Sequence, residues 1–208
     1  MHITDINPTK RGRFSVFVDG QFYGVLHSTV YARIGLSPGS EIDAAQLDEL
    51  IAESAKTIAR EKALSLLSAR AYTERGLHDK LVAITDEDSA WEAVLRMKEL
   101  GLLDDLDYAR RYAAERVNTK GYSASHTRQA LRQKGIAPDI IDEAMVEFDD
   151  ADPQPMIARI IIRRYLNHIQ TEPGQRKTID ALSRKGFHWS DIRTVINNLL
   201  DDNEYYDQ

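Results

Sequence analysis

The residue types that most often carry catalysis are present in this chain, but they are not spaced for it. The six histidines lie far apart, without the HExxH or HxH spacing of metal sites, so we expect no bound metal. They are His2, His27, His78, His126, His168 and His188. The neighbours Ser125 and His126 do not by themselves form a nucleophile and its base, because such pairs are defined in space. We therefore predict that the protein is not an enzyme and uses no cofactor.

An acidic cluster at Asp104, Asp105 and Asp107 offers oxygen ligands that a divalent cation would accept. The cluster also stands where a helix is predicted to begin. Carboxylates cap helix N-termini and complement the helix dipole, and we interpret the cluster in that way. Neither GxxxxGK[ST] nor GxGxxG occurs, so the sequence predicts no phosphate-binding loop.

Basic residues are the remaining candidates, since they concentrate in two segments of an acidic chain of net charge -6. Residues 109–138 contain seven cations and one acid, and residues 156–189 contain seven cations and two acids. This segregation favours a cationic face for a polyanionic or acidic partner, although charge blocks are also ordinary on solvated helices. The primary candidates for partner contact are Arg110, Arg111, Arg116, Lys120, Arg128, Arg132 and Lys134, and the secondary candidates are Arg163, Arg164, Arg184 and Lys185.

Several aromatic residues lie among these basic positions. They are Tyr108, Tyr112, Tyr122, Tyr165 and Trp189. Aromatic rings beside cations are typical of surfaces that stack the bases of single strands, but they also fill the interfaces between helices. Both interpretations stay open from the sequence.

The elements that position these residues recur along the chain. The stretch from Thr127 to Phe148 returns 51 residues later as Thr178 to Leu199, with a Lys-Gly pair at the same place in both copies. Each copy is typical of a helix, a glycine stop and a second helix, so Gly135 and Gly186 are predicted to take positive φ as structural turn residues. A fixed period of this kind indicates stacked units that share a core.

A weaker copy lies upstream at a shift of 50 residues. This alignment places Leu81 on Leu131, Trp91 on Ile141, Val94 on Ala144 and Leu95 on Met145. Thr85 occupies the place of the glycine, so a longer or looser turn is expected there. The helix from Ser89 to Leu100 is expected to bury Trp91, Val94, Leu95 and Met97.

The N-terminal residues favour strands. Phe14–Val18 and Gln21–Leu26 flank an Asp19-Gly20 turn signal, and His2–Asn7 is a candidate third strand. A short helix capped by Ser28 follows, and then a long helix from about Asp43 to Ser68.

The lead helix of the last unit is expected over Met156–Ile169, and Asp201–Gln208 is expected to be a frayed tail. The predicted domains are an N-terminal strand module with a short helix (1–42), a long helix with a degenerate three-helix repeat (43–103), a second three-helix repeat (104–150) and a third repeat with the acidic tail (151–208).

The composition argues against a disulfide-bonded, membrane-spanning or secreted protein. The chain has no cysteine and therefore no disulfide, which fits a reducing compartment. No apolar run approaches the roughly 18 residues of a membrane span, and the N-terminus lacks the apolar segment of a secretory signal. We expect a cytoplasmic monomer.

Three sequence features together resemble the RecX family of recombination regulators. They are AxxLLSxRxYTExGLxxKL from Ala63, ELGLLDDxxYAxxY from Glu99, and LRQKGI from Leu131 with its counterpart LSRKGF from Leu182. The resemblance covers roughly residues 56 to 200. The combination of GLLDD-x-x-YA with two Lys-Gly turns is its most specific part.

The resemblance implies a mainly α fold of tandem three-helix repeats in an elongated, curved array, with a small N-terminal β-hairpin or sheet module. It also implies binding to the RecA recombinase, especially as a filament on single-stranded DNA. Members suppress strand exchange, ATP hydrolysis and coprotease activity, have no enzymatic activity of their own and can also contact DNA, usually through basic residues. For this acidic chain, a weak DNA contact is expected. The role implied is therefore in recombination, DNA repair and the SOS response.

Two other hypotheses remain. One is a helical regulator that binds DNA directly, without a recombinase. The second helices of the copies, PDIIDEAMVEF and SDIRTVINNLL, are acidic or apolar, so base readout by a helix-turn-helix is poorly supported. The other is a helical scaffold for an unrelated partner.

Overall fold

A computed structural model describes residues 1–149 and 151–206 of the chain. It divides the protein into two compact units, Met1–Asp104 and Asp105–Gln208. The first unit combines a small sheet with four helices, and the second is built from helices in the part that is described. The predicted class, mainly α with an N-terminal sheet, is confirmed.

The N-terminal sheet contains three antiparallel strands in the order β1-β2-β3. These are β1 Ile3–Thr9, β2 Arg13–Val18 and β3 Gln21–His27. The turn between β2 and β3 has φ of 47° at Asp19 and 80° at Gly20, as a two-residue hairpin turn of the favoured twist requires. The predicted hairpin and the third strand are therefore confirmed.

One face of this sheet packs on the helices that follow it. Ile3, Val16 and Leu26 are fully buried with Leu47 of the long helix. The helices of this region are α1 Ser28–Ile34 and α2 Ala44–Ala69. Asp43 caps α2 as expected, but α1 is capped by the side chain of His27 and not by Ser28, which is already helical.

Two further helices, α3 Glu74–Leu81 and α4 Glu87–Glu99, complete the first unit. Helix α4 differs from the prediction, because Trp91 is 38% exposed and Leu95 is 54% exposed. Its buried side is formed by Ala90, Ala93, Val94 and Met97. The expected burial of Val94 and Met97 is confirmed, and that of Trp91 and Leu95 was wrong.

The buried side of α4 also corrects the predicted alignment of the upstream copy with the second repeat. Ala90, not Trp91, is equivalent to Ile141, so the shift is 51 residues after the turn and 50 residues before it, where Leu81 matches Leu131. The turn with Thr85 is therefore one residue shorter than its counterpart, not longer. This turn has no glycine. The backbone N–H of Thr85 donates to the carbonyl of Leu81, the last residue of α3, and the adjacent Asp86 caps α4.

The second unit carries two successive sets of three helices. The first set contains α5 Asp105–Ala114, a π-helical turn Glu115–Thr119, α6 Ala124–Gln133 and α7 Pro138–Asp149. The second set contains α8 Pro153–Arg164, α9 Glu172–Ser183 and α10 Trp189–Tyr206. Each set has its own buried cluster, centred on Leu131 and Ile141 in one and on Leu182 and Ile192 in the other.

Two boundaries in this unit differ from the prediction. Helix α8 begins at Pro153 because Asp152 caps it, and it ends at Arg164, five residues before the predicted end. The backbone of α10 is helical to Tyr206, so the prediction of a frayed tail was wrong for residues 201–206. The last two residues of the expected tail lie outside the described part.

Both Lys-Gly pairs close a helix in the same way. Gly135 has φ of 80° and Gly186 has φ of 88°. After each glycine, the next backbone N–H reaches back to the last turn, from Ile136 to Leu131 O and from Phe187 to Leu182 O. Because the residue after glycine is also buried, each turn joins two helices and seals the core beneath them. The four-domain division and the curved array remain predictions.

Candidate partner-binding surface

Some of the predicted partner-binding cations are already paired within the fold. Arg110 lies 2.7 Å from a carboxylate oxygen of Glu143, and Lys120 lies 2.9 Å from one of Glu115. Arg111 pairs with Asp107 one turn before it. Each of these pairs is exposed, so a partner could still compete for the cation, but only by displacing its carboxylate.

Arg128 is the most strongly engaged of the predicted cations. It donates to Asp149 through two nitrogens and to Asp142 through a third, and its side chain is only 18% exposed. The hydrogen bond to Asp149, and then that to Asp142, raise the pKa of Arg128, although partial burial opposes them. This side chain fastens α6 to α7 and is therefore poorly placed to contact a partner.

A second group of cations lies against aromatic rings. The Lys134 ammonium is 5.6 Å from the ring centre of Tyr108 and 5.0 Å from that of Tyr112. The Arg116 guanidinium is 5.5 Å from the ring of Tyr112 and 3.9 Å from that of Tyr122. The rings are half-buried, so they serve as helix packing and as cation platforms at the same time.

Lys185 continues this series from the third repeat. Its ammonium lies 4.6 Å from the ring centre of Tyr122 and donates to the backbone carbonyl of Lys120. Its own carbonyl accepts from Ser123 N–H at 2.9 Å, so the Lys-Gly turn of one repeat docks on the start of α6 in the other. Burial lowers the pKa of Lys185, and the nearby charges of Arg164 and Arg116 lower it further.

A third group of predicted cations is exposed. Arg132, Arg163, Arg164 and Arg184 form no ion pair with any residue of the described part. Three of these four lie in the third repeat. Most of the primary candidates, by contrast, have a carboxylate or an aromatic ring beside them.

Two of these exposed arginines border a cavity of about 130 Å³ where the third repeat meets the π-helical turn. Its lining is Asn118, Thr119, Lys120, Gly121, Arg159, Ile160, Arg163, Arg164 and Lys185. Five of these residues are cations and none is an acid. Arg159 was not among the predicted site residues, but its spacing of four from Arg163 places both on one side of a helix, which the sequence could have indicated.

A larger groove of about 800 Å³ lies beside this cavity in the second unit, but its charges are mixed. Arg128 and Arg132 line it together with the acids Glu147, Asp149, Asp152 and Asp191. A groove with both signs of charge has no marked preference for a polyanion. The small cavity is therefore the stronger electrostatic feature.

The remaining aromatic candidates differ in exposure. Tyr165 packs against the core of the third repeat, as an interface residue would. Trp189 is 52% exposed, with the guanidinium of Arg193 5.2 Å from its ring centre. Trp189 thus keeps an accessible ring beside a cation.

The residues that could carry other functions are dispersed. Within residues 1–149 and 151–206, no three His, Asp or Glu side chains gather in a group that could hold a metal ion. Over the same residues, no helix is both long and apolar enough to cross a bilayer.

Comparison with known proteins agrees with the sequence resemblance. Residues 104–145 match the family model for the second three-helix domain of RecX. The "Regulatory protein RecX" of Limosilactobacillus reuteri (strain DSM 20016) is 30% identical over 190 residues, which cover 89% of this chain and 72% of that protein. The chain belongs to the RecX family. The RecX regulatory protein of Clostridioides difficile (strain 630) is 28% identical over 98% of both chains.

Solved RecX structures have the same fold. A crystal structure of a regulatory protein RecX matches with a TM-score of 0.63 and 25% identity, over 94% of this chain and 98% of that one. The RecX of Lactobacillus salivarius, at 24% identity, matches with a TM-score of 0.59 over 70% of this chain and 96% of that one. The family relationship supports a regulatory role for this chain.

Proposed function

We propose that this RecX-family protein is a non-enzymatic regulator of the RecA recombinase. In this proposal it binds the recombinase filament on single-stranded DNA and inhibits strand exchange, ATP hydrolysis and coprotease activity. It would thereby modulate recombination, DNA repair and the SOS response. The family supplies the partner, and the surface of the second unit supplies a way to bind it.

The observation that carries the proposal is the unequal pairing of the cations. Arg163, Arg164 and Arg184 are exposed and have no carboxylate partner among the described residues, whereas Arg110 and Arg111 each have one and Arg128 has two. A cation that is free of internal partners breaks no ion pair when it meets a phosphate or an acidic side chain, so it binds at a lower cost than a paired cation does. The proposed contact surface is therefore centred on Arg163, Arg164 and Arg184. Lys185, which contacts Tyr122 and the carbonyl of Lys120 but no described carboxylate, and the exposed Arg132 of the second repeat are added to it.

The other predicted cations have supporting roles in this proposal. Arg116 and Lys134 lie over tyrosine rings, and Lys120 shares its charge with Glu115. They add to the positive potential that attracts a polyanion without each being a direct contact. On a filament, a binding site repeats with every protomer, so individually weak contacts can combine into stable binding.

Cosedimentation with RecA filaments tests the proposal. The unmodified chain should sediment with recombinase assembled on single-stranded DNA. The Arg163→Gln/Arg164→Gln/Arg184→Gln variant should bind at least about tenfold more weakly, equivalent to about 1.4 kcal/mol. A matched control is Arg75→Gln/Arg96→Gln/Arg176→Gln, which removes three exposed arginines that are paired with Asp79, Glu99 and Glu172.

The control separates a specific contact from general charge attraction, because both variants lose three positive charges. Equal weakening in the two variants would indicate general charge attraction and would remove the proposed surface. Full binding by the first variant would do the same. Tight binding of the unmodified chain to duplex DNA without recombinase would favour the direct DNA-binding alternative instead.

A further inference from the structure

The cavity between the π-helical turn and α8 is lined by five cations and no acid. Its cations come from both repeats, with Lys120 on one side and Arg159, Arg163 and Arg164 of α8 on the other. Lys185 is the least exposed of the five. Among the described residues, the one carboxylate bonded to any of these cations is that of Glu115, which pairs with Lys120 and does not line the cavity.

The position of Lys185 shows that these charges are not balanced within the fold. Its ammonium donates to the carbonyl of Lys120 and faces the ring of Tyr122, but no acid of the described residues reaches it. Burial and the charges of Arg164 and Arg116 lower the pKa of this group, since its positive form is disfavoured there. An anion in the cavity would offset both effects.

The type of donors around the cavity favours a phosphate over a carboxylate. Guanidinium groups present planar forks of N–H donors, and one such fork satisfies both oxygens of a carboxylate. Here three guanidinium groups and two ammonium groups surround one small space. A tetrahedral phosphate offers oxygens in several directions, so donors that approach from different elements can bind it together.

We propose that this cavity binds one phosphate group of a DNA strand, through Arg163, Arg164 and Lys185, with Arg159 and Lys120 beside them. The proposal deepens the proposed function, on which it rests for the choice of DNA as the source of the phosphate. It gives the second unit a defined anchor for the strand that lies within a recombinase filament. Because both repeats contribute donors, an occupied cavity also ties them together.

Oligonucleotide binding without recombinase tests this inference directly. We would measure the fluorescence anisotropy of a labelled oligothymidylate of about 15 nucleotides at about 50 mM salt, where phosphate contacts are strong. The pocket variant is Arg159→Gln/Arg163→Gln, and the control is Arg176→Gln/Lys177→Gln, which lies on α9 outside the cavity. All four residues are exposed, and circular dichroism would verify that both variants are folded.

The expected result is a loss of affinity of about tenfold in the pocket variant and less than about twofold in the control. The plot of log K against log salt has a negative slope. In the pocket variant the magnitude of this slope should be smaller by about 0.7, the value for one phosphate contact with a single strand. Equal losses in the two variants would overturn the proposal, because they would reflect diffuse attraction. Undetectable binding by the unmodified chain would overturn it as well.

Two further arms separate the possible sources of the anion. Inorganic phosphate, compared with chloride at equal ionic strength, should raise the thermal unfolding midpoint of the unmodified chain but not of the pocket variant. If phosphate does so while oligonucleotide binding is the same in both, the cavity takes a free anion and the assignment to DNA is wrong. If the pocket variant loses only its binding to DNA-free recombinase, the ligand is an acidic protein surface, and the proposal is again wrong.

The proposed function can fail independently of this inference. Filament binding and inhibition are measured with recombinase present, whereas the cavity is tested with the isolated chain. A chain that binds the oligonucleotide through the cavity but does not affect the recombinase would refute the function alone. If the unmodified chain inhibits the recombinase but the pocket variant and the control bind the oligonucleotide equally well, only the proposed phosphate site is refuted.

Discussion

Arg128 illustrates how the same residue type can serve the fold or a partner. Its guanidinium donates to Asp142 and Asp149, and most of its side chain is shielded from solvent. Arg132 lies one helical turn later, is exposed and has no ion pair in the described part of the chain. The two arginines look alike in the sequence, and only their carboxylate neighbours distinguish them.

Replacing Arg128 should therefore destabilise the second unit. We expect Arg128→Gln to lower its free energy of unfolding by about 1–2 kcal/mol, since two carboxylates lose their partner and a partly buried contact is lost. Arg132→Gln, the matched change, should stay within about 0.5 kcal/mol of the original. In a Trp91→Phe background, Trp189 is the remaining tryptophan, so urea denaturation followed by its fluorescence reports this unit. Equal stability of the two variants would contradict the assigned role of Arg128.

Gly186 is required both by its backbone angle and by its surroundings. Its φ of 88° is unfavourable for residues with a side chain. A Cβ atom at this position would also lie 2.5 Å from Ser123 Oγ and from His126 Cβ. The turn of the third repeat therefore approaches the start of α6 so closely that only glycine fits without a shift.

The two requirements can be separated experimentally. Gly186→Ala should cost about 2–4 kcal/mol, of which about 1 kcal/mol comes from the backbone and the rest from overlap. Gly101→Ala is the matched control, because Gly101 also has positive φ, at 67°, but a Cβ there would meet nothing within 4 Å. It should cost about 1 kcal/mol. Similar losses in thermal and urea denaturation of the two variants would show that the close approach is absent.

At the scale of elements, one carboxylate of the first unit bridges two helices that also share a buried core. Glu92 of α4 accepts from Lys56 at 2.6 Å and from Arg60, both on α2. The hydrogen bond from Lys56 lowers the pKa of Glu92; burial opposes this, and Arg60 adds to the lowering. A carboxylate whose folded pKa is lowered stabilises the fold when ionised, and this contribution is lost as the pH falls through the folded pKa.

Glu92→Gln should therefore have a pH-dependent effect. At pH 7 we expect a loss of about 0.5–1 kcal/mol, since the side chain of Glu92 is 33% exposed and solvent partly screens the pair. The difference between the two proteins should shrink as the pH falls below the ordinary pKa of 4.5 towards pH 3. Urea denaturation of a Trp189→Phe background, followed by Trp91 fluorescence, would measure it. A loss that is the same at pH 7 and pH 3 would exclude the ionised pair as its cause.

The elements also show what sequence patterns can and cannot predict. The strands and the two glycine turns were predictable because Asp-Gly and Lys-Gly encode local backbone angles. The register of α4 was not, because the apolar residues Trp91 and Leu95 occupy exposed positions while the small residues Ala90 and Ala93 form the buried side. The prediction assumed that the largest apolar side chains are buried. In a helix that packs closely on its neighbour, small side chains occupy the buried side instead.

The candidate surface was predictable only as a set of charges. The two cationic segments are visible in the sequence, but the carboxylates that pair with them come from other helices, such as Glu143 for Arg110. The cavity near Gly121 depends on how Lys185 and α8 meet the π-helical turn, a contact between residues up to 65 positions apart. No local pattern reports such distances, so the sequence indicated neither the position of Arg159 beside the cavity nor the pairing of Arg128 with two carboxylates.

At the scale of the whole molecule, the chain is acidic, and a number of its acids form ion pairs within the fold. Several of them pair with arginines on the helices of their own unit, as Glu53 does with Arg33 and Asp107 with Arg111. Arg163, Arg164 and Arg184 of the third repeat have no carboxylate partner among the described residues despite the net charge of -6. A regulator with this distribution should bind a polyanion locally while the rest of its surface limits non-specific attraction to nucleic acid.

Inhibition of the DNA-dependent ATPase of RecA tests this account most directly. The unmodified chain should inhibit ATP hydrolysis by recombinase on single-stranded DNA. The Arg163→Gln/Arg164→Gln/Arg184→Gln variant should need about tenfold more protein for the same inhibition, and the Arg75→Gln/Arg96→Gln/Arg176→Gln control should not. Undiminished inhibition by the first variant, or no inhibition by the unmodified chain, would contradict the account.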